Sequence, residues 1–278
     1  MIYREESGMA DIFEVIGSRK SVRTFDGRSL TPEDRADLDK FIETITNPFG
    51  VQVDFKLLDA DGNSLSSPVI TGEMMYVAGK AEKVPYADVA YGCAMEKLVL
   101  HAWSLGIGTT WIGGTMKREL FEKAVGLKEE ELMPCISPLG YPAKKRSVRE
   151  IMMRKGAGSD NRMSADRLFF SKEWGSPLAD IAADGTHDLI EAVRWAPSAV
   201  NRQPWRIIVA DRCWNFYLKH DRGYINDKVG DMQKIDIGIA LCHLTSGMEE
   251  QGKKPEVFIS DPGISVPEGV EYIASVRG

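Results

Sequence analysis

No run of apolar residues in this chain approaches the roughly 18 needed to cross a bilayer as a helix, so no spanning segment is expected. The opening M-I-Y-R-E-E-S-G is acidic and lacks the apolar stretch of a secretory leader. Cysteine is sparse. The four present, Cys93, Cys135, Cys213 and Cys242, show no C-x-x-C spacing and read as free thiols of a reducing, cytoplasmic compartment. Histidine is equally scarce and scattered, at His101, His187, His220 and His243, with no H-E-x-x-H pattern, so no metal site is expected. Positive charge is in deficit: 35 Lys and Arg against 41 Asp and Glu give a net charge of -6, which argues against bulk nucleic-acid binding. A Rossmann fingerprint is missing too. Gly106-x-Gly108 follows a helical run rather than a strand and lacks the third glycine.

What is present is ordinary in bulk and specific in detail. Hydrophobic residues make up 43% and charged residues 27% of 278 positions, the balance of a soluble chain long enough for one large or two ordinary domains. Residues 195–205 read W-A-P-S-A-V-N-R-Q-P-W. A helical run over 188–194 leads in, and Ala196-Pro197 ends it, because the residue before a proline is pushed out of the α region. Ser198, Asn201 and Gln203 then offer short polar groups, and 206–210 reads as a strand. Such a stretch is either a ligand-facing loop or a plain helix-to-strand turn.

Three further stretches carry chemistry. In residues 18–25, S-R-K-S-V-R-T-F, alternation sets Arg19, Ser21 and Arg23 on one side of an extended segment, which suits a phosphate or a solvated strand edge. Residues 105–114, L-G-I-G-T-T-W-I-G-G, end in Gly113 and Gly114 before a helix predicted to start at Thr115 and stop near Gly126. That arrangement either points backbone N–H groups at an electron-rich acceptor or forms a tight glycine turn. Residues 138–146, P-L-G-Y-P-A-K-K-R, run from a strand into a basic tail that continues to Arg149, solvated or closing over a phosphate.

Elsewhere, Asp11 caps a short helix, and Thr31-Pro32-Glu33-Asp34 starts a helix reaching about Thr46. Strands are predicted over 51–58, 74–78 and 135–140. Residues 85–105 are apolar almost all round and predict a helix buried in a core or an interface. Residues 156–161, G-A-G-S-D-N, read as a linker. After it the pattern repeats faintly: 189–193 echoes 41–45, 206–211 echoes 54–59, and 236–242 echoes 88–94, setting Asp236 against Asp88. The repeats span 1–155 and 162–278. The first keeps the arginine motif, the glycine loop and the basic tail. The second keeps the polar loop, retains only Arg167 of the arginines, and has no basic tail before Gly278.

Taken together, these four motifs resemble those of the flavin-dependent nitroreductase superfamily. The resemblance implies an α+β fold with mixed and antiparallel sheets, here as two intertwined pseudo-repeats around a central helical core formed by 85–105 and 236–248. It implies a fused equivalent of that superfamily's homodimer, with one flavin site kept and one lost, and a monomer is compatible with this. It implies FMN as cofactor, NADH or NADPH as electron donor, and a small aromatic acceptor such as a nitroarene or quinone; the net charge and the lack of a spanning run lead to the expectation of neither nucleic acid nor membrane as partner. By motif, Arg19, Lys20, Ser21, Arg23 and Arg146 would hold phosphate and ribityl. Ile112, Gly113 and Gly114 would lie beside the isoalloxazine, and Pro197, Ser198, Ala199 and Asn201 would line it from the other repeat. No catalytic acid, base or nucleophile is implied, because the cofactor carries the chemistry. A flavin-binding or redox-sensing protein without efficient turnover is the alternative, and a structural protein with a vestigial site is a third.

Overall fold

A computed structural model describes residues 11–156, 158, 161–178, 185–226 and 228–278. The described helices are α1 (Ile12–Ser18), α2 (Pro32–Thr44), α3 (Ala87–Ser104), α4 (Arg118–Val125), α5 (Val148–Gly156), α6 (Ala165–Leu168), α7 (Thr186–Arg194) and α8 (Met232–Glu250). The strands are β1 (Asp54–Asp59), β2 (Met75–Glu82), β3 (Glu131–Leu132), β4 (Ile136–Leu139), β5 (Phe169–Ser171), β6 (Trp205–Ala210), β7 (Cys213–Lys219), β8 (Ile225–Asn226), β9 (Gly230–Asp231), β10 (Glu256–Phe258) and β11 (Val270–Arg277). The class is α+β, as expected.

Helix starts follow capping chemistry. Asp11 accepts from the Phe13 N–H, and Thr31 accepts from the Asp34 N–H with Pro32 at the first helical position. Asp231 caps α8 by accepting from the N–H groups of Gln233 and Lys234. Thr115 is not the predicted cap: its carbonyl takes the Ser67 hydroxyl, and α4 starts only at Arg118. A helix not read from the sequence, α5, follows the basic tail, with Arg149 donating to the Pro68 carbonyl. The strand predicted over 51–58 begins at Asp54, and that predicted over 74–78 runs on to Glu82. The linker at 156–161 lies partly outside the described residues.

In the first half, β2 is the centre of an antiparallel sheet, with β1 on one side and β3 and β4 on the other. In the second half the order is β10-β11-β7-β6-β5, antiparallel except for the parallel β5–β6 pair. One continuous core joins the halves: Leu38, Phe55, Tyr91, Met95 and Leu98 pack in the same cluster as Leu189, Trp205, Phe216, Ile235 and Leu241.

At the centre α3 crosses α8. A Cβ at Gly92 would overlap the Ile235 carbonyl, and a Cβ at Gly238 would overlap the Val89 carbonyl. The close approach is therefore reciprocal, relating Gly92 to Gly238 and Val89 to Ile235. The sequence echo, Asp88 against Asp236, lies two residues out of this register. α8 begins at Met232, four residues ahead of the predicted 236–248 stretch.

The two helices are entered differently. Residues 83–86 lead from β2 to α3, whereas 220–231 lead from β7 to α8 and fold into the β8–β9 hairpin. Its base is tied to α3, because the Asp231 N–H donates to Asp88 Oδ2 at 3.1 Å, and His220 Nε2 lies 2.7 Å from Asp231 Oδ2. Asp88 Oδ1 is buried without a hydrogen-bond partner among the described residues. Burial pushes the Asp88 carboxyl up to about 6, against the opposing pull of the Asp231 N–H; the negative charge of Asp231 adds a smaller push upward and Lys234 a small pull down. Between the ordinary carboxylate range and this value the folded chain holds a proton that the unfolded chain releases. Stability from this group therefore falls as pH rises towards 6, and the full penalty persists above it. A neutral side-chain amide at this position would still accept the Asp231 N–H through its oxygen. Asp88→Asn is expected to stabilise the protein at pH 8 by on the order of 2 kcal/mol, a gain that shrinks by about half at pH 5. Urea unfolding of both proteins at the two pH values checks this.

Candidate functional site

The stretch after α1 cannot remain helical, since Arg19 is already extended. It is held between two neighbours: Ser21 bridges Thr109, the Val22 N–H donates to the Thr109 carbonyl at 2.8 Å, and Thr24 bridges Thr71. Val22 points into the core against Gly108, where a Cβ would strike its side chain. Arg19, Ser21 and Arg23 consequently face the opposite way, into a cavity of about 1020 Å³.

All twelve residues singled out in the sequence line this one cavity: Arg19, Lys20, Ser21, Arg23, Ile112, Gly113, Gly114, Arg146, Pro197, Ser198, Ala199 and Asn201. The first eight come from the first half and the last four from the second. The floor is apolar where the central helices pass beneath, at Met232, Ile235 and Ile239. Arg118 braces the glycine loop, donating to the carbonyls of Gly113 at 2.7 Å and Pro134 at 3.1 Å. The helix end expected at Gly113 and Gly114 is absent, because α4 starts beyond them.

The electrostatics of the arginine wall are unusual. Arg19 is 9% exposed, and its Nε and Nη1, together with Nη1 of Arg23, are buried without hydrogen-bond partners among the described residues. Burial lowers the pKa of both guanidinium groups. Glu96 opposes this at Arg19 and Glu150 at Arg23, while Arg154 adds to it at both. Buried cations with unused donors at a cavity wall are costly unless an anion completes them.

Glu96 was hidden from sequence reasoning in the middle of the apolar 85–105 run. It is fully buried. Its Oε1 lies 3.7 Å from Arg19 Nε and 3.0 Å from His243 Nε2, and its Oε2 accepts from Trp111 Nε1–H at 2.9 Å. His243 Nδ1 lies 2.8 Å from the Ala192 carbonyl, and a carbonyl only accepts, so Nδ1 carries hydrogen. The Nε2–Oε1 contact then holds one proton, on the ring or on the carboxyl. Through this cluster one carboxylate links the arginine motif, the tryptophan of the glycine loop and the helix that leads into the polar loop.

The polar loop is a strained turn on the cavity wall. Val200, Asn201 and Gln203 all have positive φ, and residues Ala199–Asn201 form a short 3-10 turn. Side chains hold it: Ser198 Oγ accepts the Gln203 N–H, and Asn201 Nδ2 donates to the carbonyls of Gly158 and Asn161. Gln203 Oε1 accepts the Met163 N–H. The Ala199 N–H donates to the Asp236 carboxyl at 3.0 and 3.2 Å. Burial holds Asp236 well above the usual carboxylate range, against the opposing pull of that N–H.

One further part of the cavity wall was not read from the sequence. It is the β8–β9 hairpin, through Gly223, Tyr224, Ile225, Asn226 and Val229. The glycines flanking 224–229 were its available signal. Trp111 also lines the cavity, whereas Phe49 stacks on Tyr86 at 5.5 Å.

Comparison with known proteins places this geometry. Residues 11–248 match the family described as "Putative TM nitroreductase". A protein of Archaeoglobus fulgidus named "Putative NADH dehydrogenase/NAD(P)H nitroreductase" is 24% identical over 181 residues, covering 59% of this chain and 99% of that protein. A crystal structure of a Thermotoga maritima protein described as a "putative nitroreductase" superposes with a TM-score of 0.65 at 21% identity, covering 98% of this chain and 96% of the other. A structure of a nitroreductase with bound FMN from Bacteroides fragilis covers 50% of this chain and 94% of its own, at TM-score 0.40 and 21% identity. With the family match running from α1 to α8, the chain belongs to this nitroreductase family.

Proposed function

We propose that the cavity binds FMN and that the chain is an NAD(P)H-dependent oxidoreductase for small aromatic acceptors, nitroarenes and quinones. The observation that carries this reading is the set of buried, unpartnered guanidinium donors of Arg19 and Arg23 beside a large cavity with an apolar floor. A phosphate would complete those donors. When bound, FMN supplies two-electron chemistry, accepting a hydride from a nicotinamide and returning electrons to the acceptor. The family and the name of the archaeal relative support the same class.

The chain's residues divide the work. Arg19, Ser21 and Arg23 would hold phosphate and ribityl, with Arg146 and Lys20 at the edge of the same wall. Ile112 supplies apolar surface, and Gly113 and Gly114 leave backbone N–H groups for a flavin edge near N5. Pro197, Ser198 and Ala199 would line the flavin from the other half. Asn201 shapes the loop rather than the ligand contact, because its side chain is already engaged with Gly158, Asn161 and Arg162. Glu96 would keep Arg19 and Trp111 turned to the cavity.

The reciprocal Gly92–Gly238 crossing supports an internal duplication of a nitroreductase unit; we infer that it acts as a monomeric pseudo-dimer, and the free cysteines fit a cytoplasmic setting. The archaeal relative fits this picture, since about three fifths of this chain spans nearly all of it. Arg167, the decayed counterpart, does not line the cavity.

Two measurements test the reading. Arg23→Ala is expected to weaken FMN by roughly 1.5–3 kcal/mol, one to two decades, and to leave riboflavin affinity nearly unchanged, whereas Arg167→Ala alters neither. Equal losses in both variants contradict the assignment. In the second, anaerobic NADH or NADPH bleaches the flavin-loaded protein and a quinone or nitroarene restores its colour. A protein that stays yellow under both nicotinamides but bleaches with dithionite is a flavin-binding or sensing protein instead. One that takes up no flavin is neither.

A further inference from the structure

Helix α5 is turned inside out relative to an ordinary surface helix. Its polar Glu150 is 2% exposed, taking the Thr24 hydroxyl at 2.7 Å and pairing with Arg146 at 3.5 Å. Met153 and Arg154 face the cavity. Its outward side carries Val148, Ile151 and Met152, exposed at 74%, 54% and 69%. Positions 148, 151 and 152 share one helix face. A helix normally buries such a stripe.

The surroundings of that stripe are basic. Lys144, Lys145, Arg146, Arg149 and Lys155 are all exposed, while the one acid of residues 144–155, Glu150, is turned inward. This stands out in a chain with a net charge of -6. The apolar surface also continues around the cavity mouth. Val200 and Ile225, on two other segments, line the cavity and are 66% and 65% exposed. Five of the large exposed hydrophobic side chains thus lie either on the cavity lining or on α5, the helix whose Met153 and Arg154 line the same cavity and whose flanks carry the exposed cations.

Aliphatic side chains flanked by lysine and arginine are the pattern of a helix that lies in a membrane interface, its apolar face among the acyl chains and its cations on anionic headgroups. We propose that α5 and the rim of the cavity dock on an anionic lipid surface. The charge selects this occupant: a second copy of this chain would bring its own basic ring against this one, and like charges at a shared face repel. The expectation of no membrane partner rested on the lack of a spanning run. No described helix is long and apolar enough to cross a membrane, and an interfacial helix needs no such length. Docked this way, the opening would meet the lipid, where an apolar acceptor is concentrated. That consequence rests on the oxidoreductase reading; the docking itself does not.

Sedimentation of the full chain with vesicles tests it, using phosphatidylcholine alone and a phosphatidylcholine–phosphatidylglycerol mixture. The protein is expected to partition onto the mixed vesicles at low salt, to leave them at high salt, and to ignore phosphatidylcholine alone. Ile151→Ser combined with Met152→Ser should weaken partitioning about tenfold or more, and Lys144→Glu with Lys145→Glu should do the same through charge. Unchanged thermal unfolding and unchanged FMN affinity in both variants show that fold and cavity are intact. Binding to neither vesicle, binding that survives the substitutions, or a dimer that the substitutions dissociate in the absence of vesicle binding overturns the proposal. The readout requires no flavin, so its failure leaves the cofactor reading standing, and loss of flavin binding leaves the vesicle result interpretable.

Discussion

The close crossing of α3 and α8 is the constraint on which the rest depends. Two backbones meet where a methyl group on either side would overlap a carbonyl, so both Gly92 and Gly238 are required for the approach. That distance fixes how near the two halves stand. Because they stand so near, the arginine motif of one half and the polar loop of the other face the same cavity. The apolar flanks of both helices, joined in one cluster with both sheets, hold the crossing closed.

Onto this frame the protein places groups that ordinary cores exclude. Arg19, Glu96 and His243 are all buried where the helices pack, and each is expensive alone. Their arrangement reduces the cost only in part: Glu96 reaches Trp111 and His243 at hydrogen-bond distance but Arg19 only at 3.7 Å. Breaking such a cluster by removing one partner is costly, which keeps the segments it joins in register. The remaining deficit, unused donors of Arg19 and Arg23, points into the cavity. In the proposed reading an anionic cofactor makes up that deficit, so that stability and binding are linked through the same side chains.

Much of this was legible in the sequence because motif chemistry is local. The alternation of Arg19, Ser21 and Arg23, the proline that ends α7 and the glycines of 113–114 each act within a few residues, and all of them arrive at one cavity. What was missed depends on distant partners. Glu96 looks like a polar interruption in an apolar helix until His243 and Arg19 are seen beside it. The 220–231 hairpin becomes a wall only because Asp88, in the other half, anchors its base. The sequence echo of 236–242 with 88–94 lies two residues out of the helix-crossing register, because similarity of type is a weaker guide than the one position where only glycine fits. Thr115 resembled a cap, yet a competing bond from Ser67 occupies its carbonyl and the helix starts at Arg118.

The central claim is that two halves build one live flavin site and that the symmetric position is lost. In the proposed reading the first half carries the arginine wall and the second the polar loop, so their meeting is complete once. Spectral titration of the purified chain with FMN tests this most directly. The account predicts saturation at one FMN per chain. A reproducible ratio near two would contradict it, since a second site would then have to be built from the segments held here to be decayed.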